Sequence, residues 1–144
     1  MMAEDALYQR LRECLVLMEW AGQRVLAPFD LNIGQYDALS LLQQMDGQRL
    51  GELRERLLID NSKMTRLADQ LEARGLVERR QEAADRRAWR LHLTPAGADL
   101  LATARVTHQQ MLVDRFAIFD ASEQALFSQL LSRLRQSLAA GEPE

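Results

Sequence analysis

At Gly75 the apolar residues change period, and that switch constrains the fold more than any other feature of the chain. Before it, Met64, Leu67, Ala68 and Leu71 recur every three or four residues, the spacing of one helix face. After it, Trp89, Leu91 and Leu93 alternate with Ala88, Arg90 and His92, the period of a half-buried strand. The backbone must pass from helix to extended chain here. Glycine suits the left-handed residue that ends a helix.

The surroundings of the switch fill in a local architecture. Asp60 predicts an N-cap for a helix over Asn61 to Arg74. Leu50 to Leu57, with Leu50, Leu53 and Leu57 inward, predicts a shorter helix before it. Leu58-Ile59-Asp60 is then the turn of a helix-turn-helix. Leu76 to Arg80 and Ala88 to Leu93 read as two strands, and the polar loop between them, Gln81 to Arg87, ends in Asp85-Arg86-Arg87. A hairpin directly after a helix-turn-helix is a wing.

Four more helices are predicted. Asp5 to Ala27 carries Leu7, Leu11, Leu15, Met18, Val25 and Leu26, and Pro28 closes it. Ile33 to Met45 has Tyr36, Leu39, Leu42 and Met45 on one face and breaks at Asp46-Gly47. Thr94-Pro95 opens a helix that runs to about Phe119. Asp120 with Glu123 starts a last one on Leu126, Leu130, Leu134 and Leu138. The expected class is mainly α with a small β-hairpin wing.

The 144 residues suit a single domain, and 47% hydrophobic with 27% charged residues is the balance of a globular protein. No apolar run reaches membrane-span length, so no membrane partner is expected. The opening MMAEDALYQR does not read as a secretory signal, and a single cysteine suits a cytoplasmic setting. Two histidines and one cysteine, none clustered, predict neither a metal site nor a cofactor. No phosphate loop or nucleophile motif appears, which argues against an enzyme.

The net charge of −3 hides a division. Arg49 to Leu93 holds 11 Lys and Arg against 8 Asp and Glu, while the remainder holds 7 against 13. A basic middle between acidic ends points to a middle that meets a polyanion. On the predicted helix over Asn61 to Arg74, burial of the apolar stripe leaves Ser62, Thr65, Arg66 and Asp69 outward, with Asn61 and Lys63 beside them in the first turn. A helix fits the major groove, and its N-terminal residues are the ones that reach base edges. Arg86 and Arg87 at a hairpin tip fit a minor groove. Arg79, Arg80 and Arg90 lie at the wing's base, and Asp85 is expected to orient an arginine through a salt bridge. His92 is expected to face solvent, and His108 to pack at a surface or interface.

The ordered string Gly75-Leu76-Val77-x-Arg79, five residues, Asp85-Arg86-Arg87, then Leu93-Thr94-Pro95-x-Gly97 resembles the winged helix-turn-helix of the MarR family of bacterial transcription regulators. Upstream, Leu26 to Leu42 is similar to that family's second-helix region, and the likeness is greatest to its SlyA-like branch. The resemblance implies double-stranded DNA as partner, read by Asn61, Ser62, Lys63, Thr65 and Arg66. It puts Arg87 and Arg86 in the minor groove, with Asp85 and Arg79 supporting the wing. It also implies a homodimer, which agrees with the leftover apolar stripes at both chain ends. The domains are then a dimerisation helix over 1–30, the winged helix-turn-helix over 31–97, C-terminal dimerisation helices over 98–140, and a frayed tail over 141–144.

The resemblance further implies a small phenolic or aromatic effector in a pocket near Tyr36, with Trp20 and Arg24 as neighbours. Where the branch often carries a ligand-binding arginine on the first helix, this chain has Glu19, and Arg24 is one turn away. The overall expectation is a ligand-responsive repressor reading a palindromic operator. Two alternatives stay open. One is a redox-sensing regulator working through Cys14, although Leu15, Val16 and Met18 beside it point to an inert thiol. The other is a winged-helix protein-interaction module that does not bind DNA.

Overall fold

The computed structural model describes residues 2–141. Their helices and strands are, in order, α1 (Ala3–Leu26), α2 (Ile33–Gln44), β1 (Gln48–Arg49), α3 (Leu50–Leu57), α4 (Asn61–Ala73), β2 (Val77–Gln81), β3 (Trp89–Leu93), α5 (Pro95–Phe116) and α6 (Ala121–Ala140). The chain forms two compact units, Met1–His108 and Gln109–Glu144. The predicted frayed tail falls almost wholly on residues outside those described. No helix among the described residues is long and apolar enough to cross a membrane.

In the first unit the core is a leucine cluster. Leu26 of α1, Leu39 and Leu42 of α2, Leu53 of α3, Leu71 of α4, Leu91 of β3 and Leu101 of α5 are fully buried. Each contributes about 1.5–3 kcal/mol relative to exposure, so this set fixes which face every element turns inward. Asn32 and Gln35 form the capping box that starts α2. Gln35 also donates to the Gln70 Oε1 on α4 at 3.2 Å, tying the two helices together.

The sheet has three strands in the order β1-β3-β2, all antiparallel. The sequence predicted only two. Two-residue β1 carries no period of its own, so patterning cannot find it. It is held by polar contacts instead. Gln48 is buried, and its amide donates to the Leu41 and Met45 carbonyls at 2.9 and 2.7 Å, closing the C-terminus of α2. Gly47 sits at φ +72°, and a Cβ there would meet the His92 ring at 2.9 Å. Asp46 accepts from the Leu93 N–H at 2.8 Å and meets His92 Nδ1 at 3.0 Å. His92 is thus half-buried against β1's turn, not solvated as expected. Burial opposes the Asp46 charge, yet these donors hold its carboxyl below the usual range.

Other departures have simple causes. Met45 was expected inward and is exposed, because the backbone leaves the helix there (φ −146°, ψ 98°) and the helical period no longer applies. Trp89 was expected inward and is 46% exposed, since β3 begins beyond the leucine cluster. In α1 the stripe residues Leu7 and Leu15 are exposed, and only the last turns reach the core. α5 stops at Phe116, three residues earlier than predicted.

In the second unit, Phe127 of α6 lies 6.4 Å from Phe116 and 5.8 Å from Phe119 between ring centroids. Gln124 donates to the carbonyls of both phenylalanines on the α5–α6 turn, and Asp120 caps α6 as predicted.

The junction of sheet and α5 depends on Gly97. A Cβ there would lie 2.1 Å from the Leu76 carbonyl oxygen. That oxygen belongs to the backbone and not to the end of a flexible side chain, so the backbone itself must move. Gly97→Ala is expected to destabilise the protein by about 1–3 kcal/mol in urea unfolding, while Gly51→Ala, where nothing lies within 4 Å, is not.

Candidate nucleic-acid interface

α4 places the predicted reading face as its stripe requires. Met64, Leu67, Ala68 and Leu71 are buried, and Asn61, Ser62, Lys63, Thr65 and Arg66 are exposed. Asp60 accepts from the Lys63 N–H at 2.8 Å, which fixes the first turn. The Thr65 hydroxyl donates back to the Asn61 carbonyl at 3.0 Å, so its oxygen keeps lone pairs for an outside donor. The preceding turn is sharp. Leu58 lies at φ +56° and is exposed, while Ile59 packs against the core.

The wing tip is a closed loop. Glu82 N–H donates to the Ala88 carbonyl at 3.0 Å, Ala88 N–H to Asp85, and Gln81 Nε2 to the Arg86 carbonyl at 2.9 Å. Asp85 does not play the expected part. Its carboxylate accepts from the Arg87 backbone N–H at 3.0 Å and, among the described residues, pairs with no guanidinium. It shapes the turn rather than steering a side chain, which is the usual habit of an Asp two residues before the N–H it caps.

Arg79 ties the wing to α4. It pairs with Asp69 and lies 3.9 Å from Glu72, so it reaches from β2 to the outer side of the helix. A second tie was not foreseen. Glu82 takes Arg49 of β1 through two guanidinium nitrogens, Nε and Nη2, each at 2.9 Å, and also pairs with Arg90 of β3. Arg90 in turn donates to the Gly47 carbonyl. The Glu82 carboxyl is held below its usual range, chiefly by the hydrogen bonds from Arg49. No sequence spacing links residues this far apart.

The eleven cations between Arg49 and Leu93 fall into three groups by partner. Arg49, Arg54, Arg74, Arg79, Arg80 and Arg90 are in ion pairs, and Arg56 donates to Gln48. Among the described residues the side chains of Lys63, Arg66, Arg86 and Arg87 have no acidic partner. All four are exposed, and they stand on the first two turns of α4 and on the wing tip.

Among the described residues, Trp20 and Arg24 are not brought together with Tyr36. Tyr36 is buried, with its ring 4.4 Å from His108 between centroids. Gly22 is the point of α1 that meets Ile33 and approaches His108. Trp20 and Arg24, two residues to either side, turn about 160° away and are exposed. His108 therefore joins Tyr36, and Trp20 and Arg24 do not. Burial keeps the His108 imidazole below its usual pKa, hence neutral at pH 7, and burial pushes the neighbouring Asp37 carboxyl up. Cys14 lies exposed on α1 rather than enclosed by its apolar neighbours.

Residues 31–89 match the model of the MarR family. The chain is 29% identical over 128 residues to the uncharacterized HTH-type transcriptional regulator YsmB of Bacillus subtilis (strain 168), covering 89% of this chain and 88% of that one. It superposes on a MarR mutant from E. coli complexed with operator DNA with a TM-score of 0.84 at 23% identity, over 90% of this chain and 93% of that one. The organohalide-sensing regulator RdhR in its 2,4-dichlorophenol-bound form gives 0.87 at 18% identity, over 95% of this chain and 82% of that one. These likenesses bear on the winged-helix fold.

The α4 cap is a direct check on how the reading face is held. Asp60→Ala is expected to cost about 1 kcal/mol in urea unfolding, and Asp60→Asn much less, because the amide oxygen can still accept the Lys63 N–H.

Proposed function

We propose that this chain, whose residues 31–89 match the MarR family model, is a transcription regulator that acts in the cytoplasm as a homodimeric repressor on a palindromic DNA operator. Asn61, Ser62, Lys63, Thr65 and Arg66 enter the major groove, and Arg86 and Arg87 follow the minor groove. A two-fold dimer then meets half-sites one helical turn, about 10 bp, apart. The observation that carries this reading is the distribution of charge: among the described residues, the four cations of the basic segment with neither an ion pair nor a side-chain hydrogen bond lie on the helix end and the wing tip, while six of the other seven are ion-paired and Arg56 donates to Gln48. The MarR neighbour complexed with operator DNA supports DNA as the partner.

The dimer rests on apolar faces. Leu126, Phe127, Leu130, Leu131, Leu134 and Leu138 of α6 are 40–61% exposed, as are Leu7, Leu15 and Trp20 on α1 to a similar extent. Faces this apolar mark an association surface. The segments 1–30 and 98–140 supply it, and 31–97 supplies the DNA-reading domain.

The effector is a small neutral phenol or similar aromatic that binds against Tyr36 and His108. Asp37, which faces His108, makes that neighbourhood unfavourable for a carboxylate. The dichlorophenol complex of RdhR supports the ligand class. Occupancy shifts the spacing of the two recognition helices, and coupling of about 1–3 kcal/mol lowers operator affinity 5–150-fold.

Duplexes selected from a random pool supply the operator. Arg66→Ala and Arg87→Ala are each expected to weaken binding to it by about 1–3 kcal/mol, with a slope of log affinity against log salt flatter by roughly one where a phosphate contact is lost. Parental affinity in both variants would sink this docking mode and leave the protein-interaction module. Separately, Leu130→Asp or Leu134→Asp should shift sedimentation from dimer to monomer, since a charge buried without a partner is costly. Intact dimers in both would remove α6 from the interface.

A further inference from the structure

We propose that Glu82 is a positioning residue that latches the wing to β1 and sets how well the protein discriminates between DNA sequences. This rests on the reading of α4 and the wing as the DNA-contacting elements. One carboxylate joins three pieces of chain: the tip loop that Glu82 itself begins, β1 through Arg49, and β3 through Arg90. Its side chain is only 13% exposed. Arg49 Nε and Nη2 each donate at 2.9 Å, and a two-pronged contact of this kind fixes angle as well as distance. Arg90 carries the connection on to the Gly47 carbonyl.

The geometry matters because β1 is only two residues long. It pairs with β3 at Gln48↔Leu91 and Arg49↔Arg90 and nowhere else. So short a ladder resists pivoting poorly, and the hairpin beyond it carries Arg86 and Arg87. Isolated exposed ion pairs add little to stability. What this one adds is a fixed wing angle.

The latch also controls charge. Glu82 neutralises two guanidiniums, and without it Arg49 is free to meet phosphate while Arg90 keeps only its bond to the Gly47 carbonyl. Its backbone N–H bonds the Ala88 carbonyl, the residue after Arg87, so the carboxylate sits at the root of the cationic tip. Over the roughly 10 Å reach of electrostatics at 0.1 M salt, removing it raises the positive potential the wing offers to any duplex. Free arginines bind phosphate without regard to sequence. Glu82 therefore holds down non-specific attraction while it holds the specific contacts in place.

The test measures affinity of the full-length protein for two duplexes, one selected from a random pool by the parent and one of random sequence and equal length, across a salt series. Glu82→Gln is expected to tighten binding to the random duplex and to steepen its log–log salt slope by about one to two. The ratio of selected to random affinity should narrow about tenfold. A merely structural lesion would weaken both duplexes and steepen neither slope. Arg49→Gln leaves Glu82 paired with Arg90, so it should narrow the ratio without steepening the slope, and it decides the matter if Glu82→Gln does not fold. A parental ratio in the folded variants overturns the latch, as does equal weakening on both duplexes. Arg87→Ala is run alongside. If it weakens selected-duplex binding while the latch variants keep the parental ratio, the latch alone fails. If Arg87→Ala has no effect, the wing-in-groove reading fails, and the latch with it.

Discussion

A helix has two sides, and the four apolar residues of α4 decide which is which. Met64, Leu67, Ala68 and Leu71 must leave water, and the leucine cluster of α2, α3 and β3 is what they meet. A helix turns about 100° per residue, so burying that stripe forces Ser62, Thr65, Arg66 and Asp69 outward with no further instruction. The Asp60 cap fixes where the helix begins, which decides that Asn61, Ser62 and Lys63 form its exposed first turn. The rest of the proposed DNA surface is arranged around that one orientation.

The wing is oriented by different forces. Its strands share the core only through Val77, Leu91 and partly Leu93. Its angle is set by polar ties: Arg79 to Asp69, Glu82 to Arg49 and Arg90, Asp46 to Leu93 and His92. Internal pairing does two jobs at once. It anchors a small sheet that cannot bury much apolar area, and it uses up cations away from the tip. Among the described cations of residues 49–93, those with neither an ion pair nor a side-chain hydrogen bond stand on α4 and the loop over 82–88.

Much of this was legible in the residues. The change of period at Gly75, the Asp60 cap and the Thr94-Pro95 start are local signals, and local signals survive without knowledge of the fold. The outward face of α4 followed from the stripe alone. Met45 and Trp89 misled because periodicity assumes that an element continues and that a core lies opposite it. At Met45 the helix has ended, and at Trp89 the strand has passed beyond the leucines. Asp85 misled because an acid beside arginines invites an ion pair, while its own backbone two residues on is the nearer donor. Glu82 and Arg49 stand 33 residues apart, and no pattern in one sequence joins them.

Taken by itself, the order of residues settled which segments are helical, where the capped helices α4 and α6 begin, which side of α4 faces out, and that a cationic hairpin follows it. These depend on neighbours within a turn or two, where spacing is fixed by backbone geometry. Tertiary structure alone decided which cations are neutralised, that β1 exists, and that Tyr36 meets His108 instead of Trp20. Those are contacts between residues distant along the chain, and their partners are chosen by how the leucine core brings the elements together.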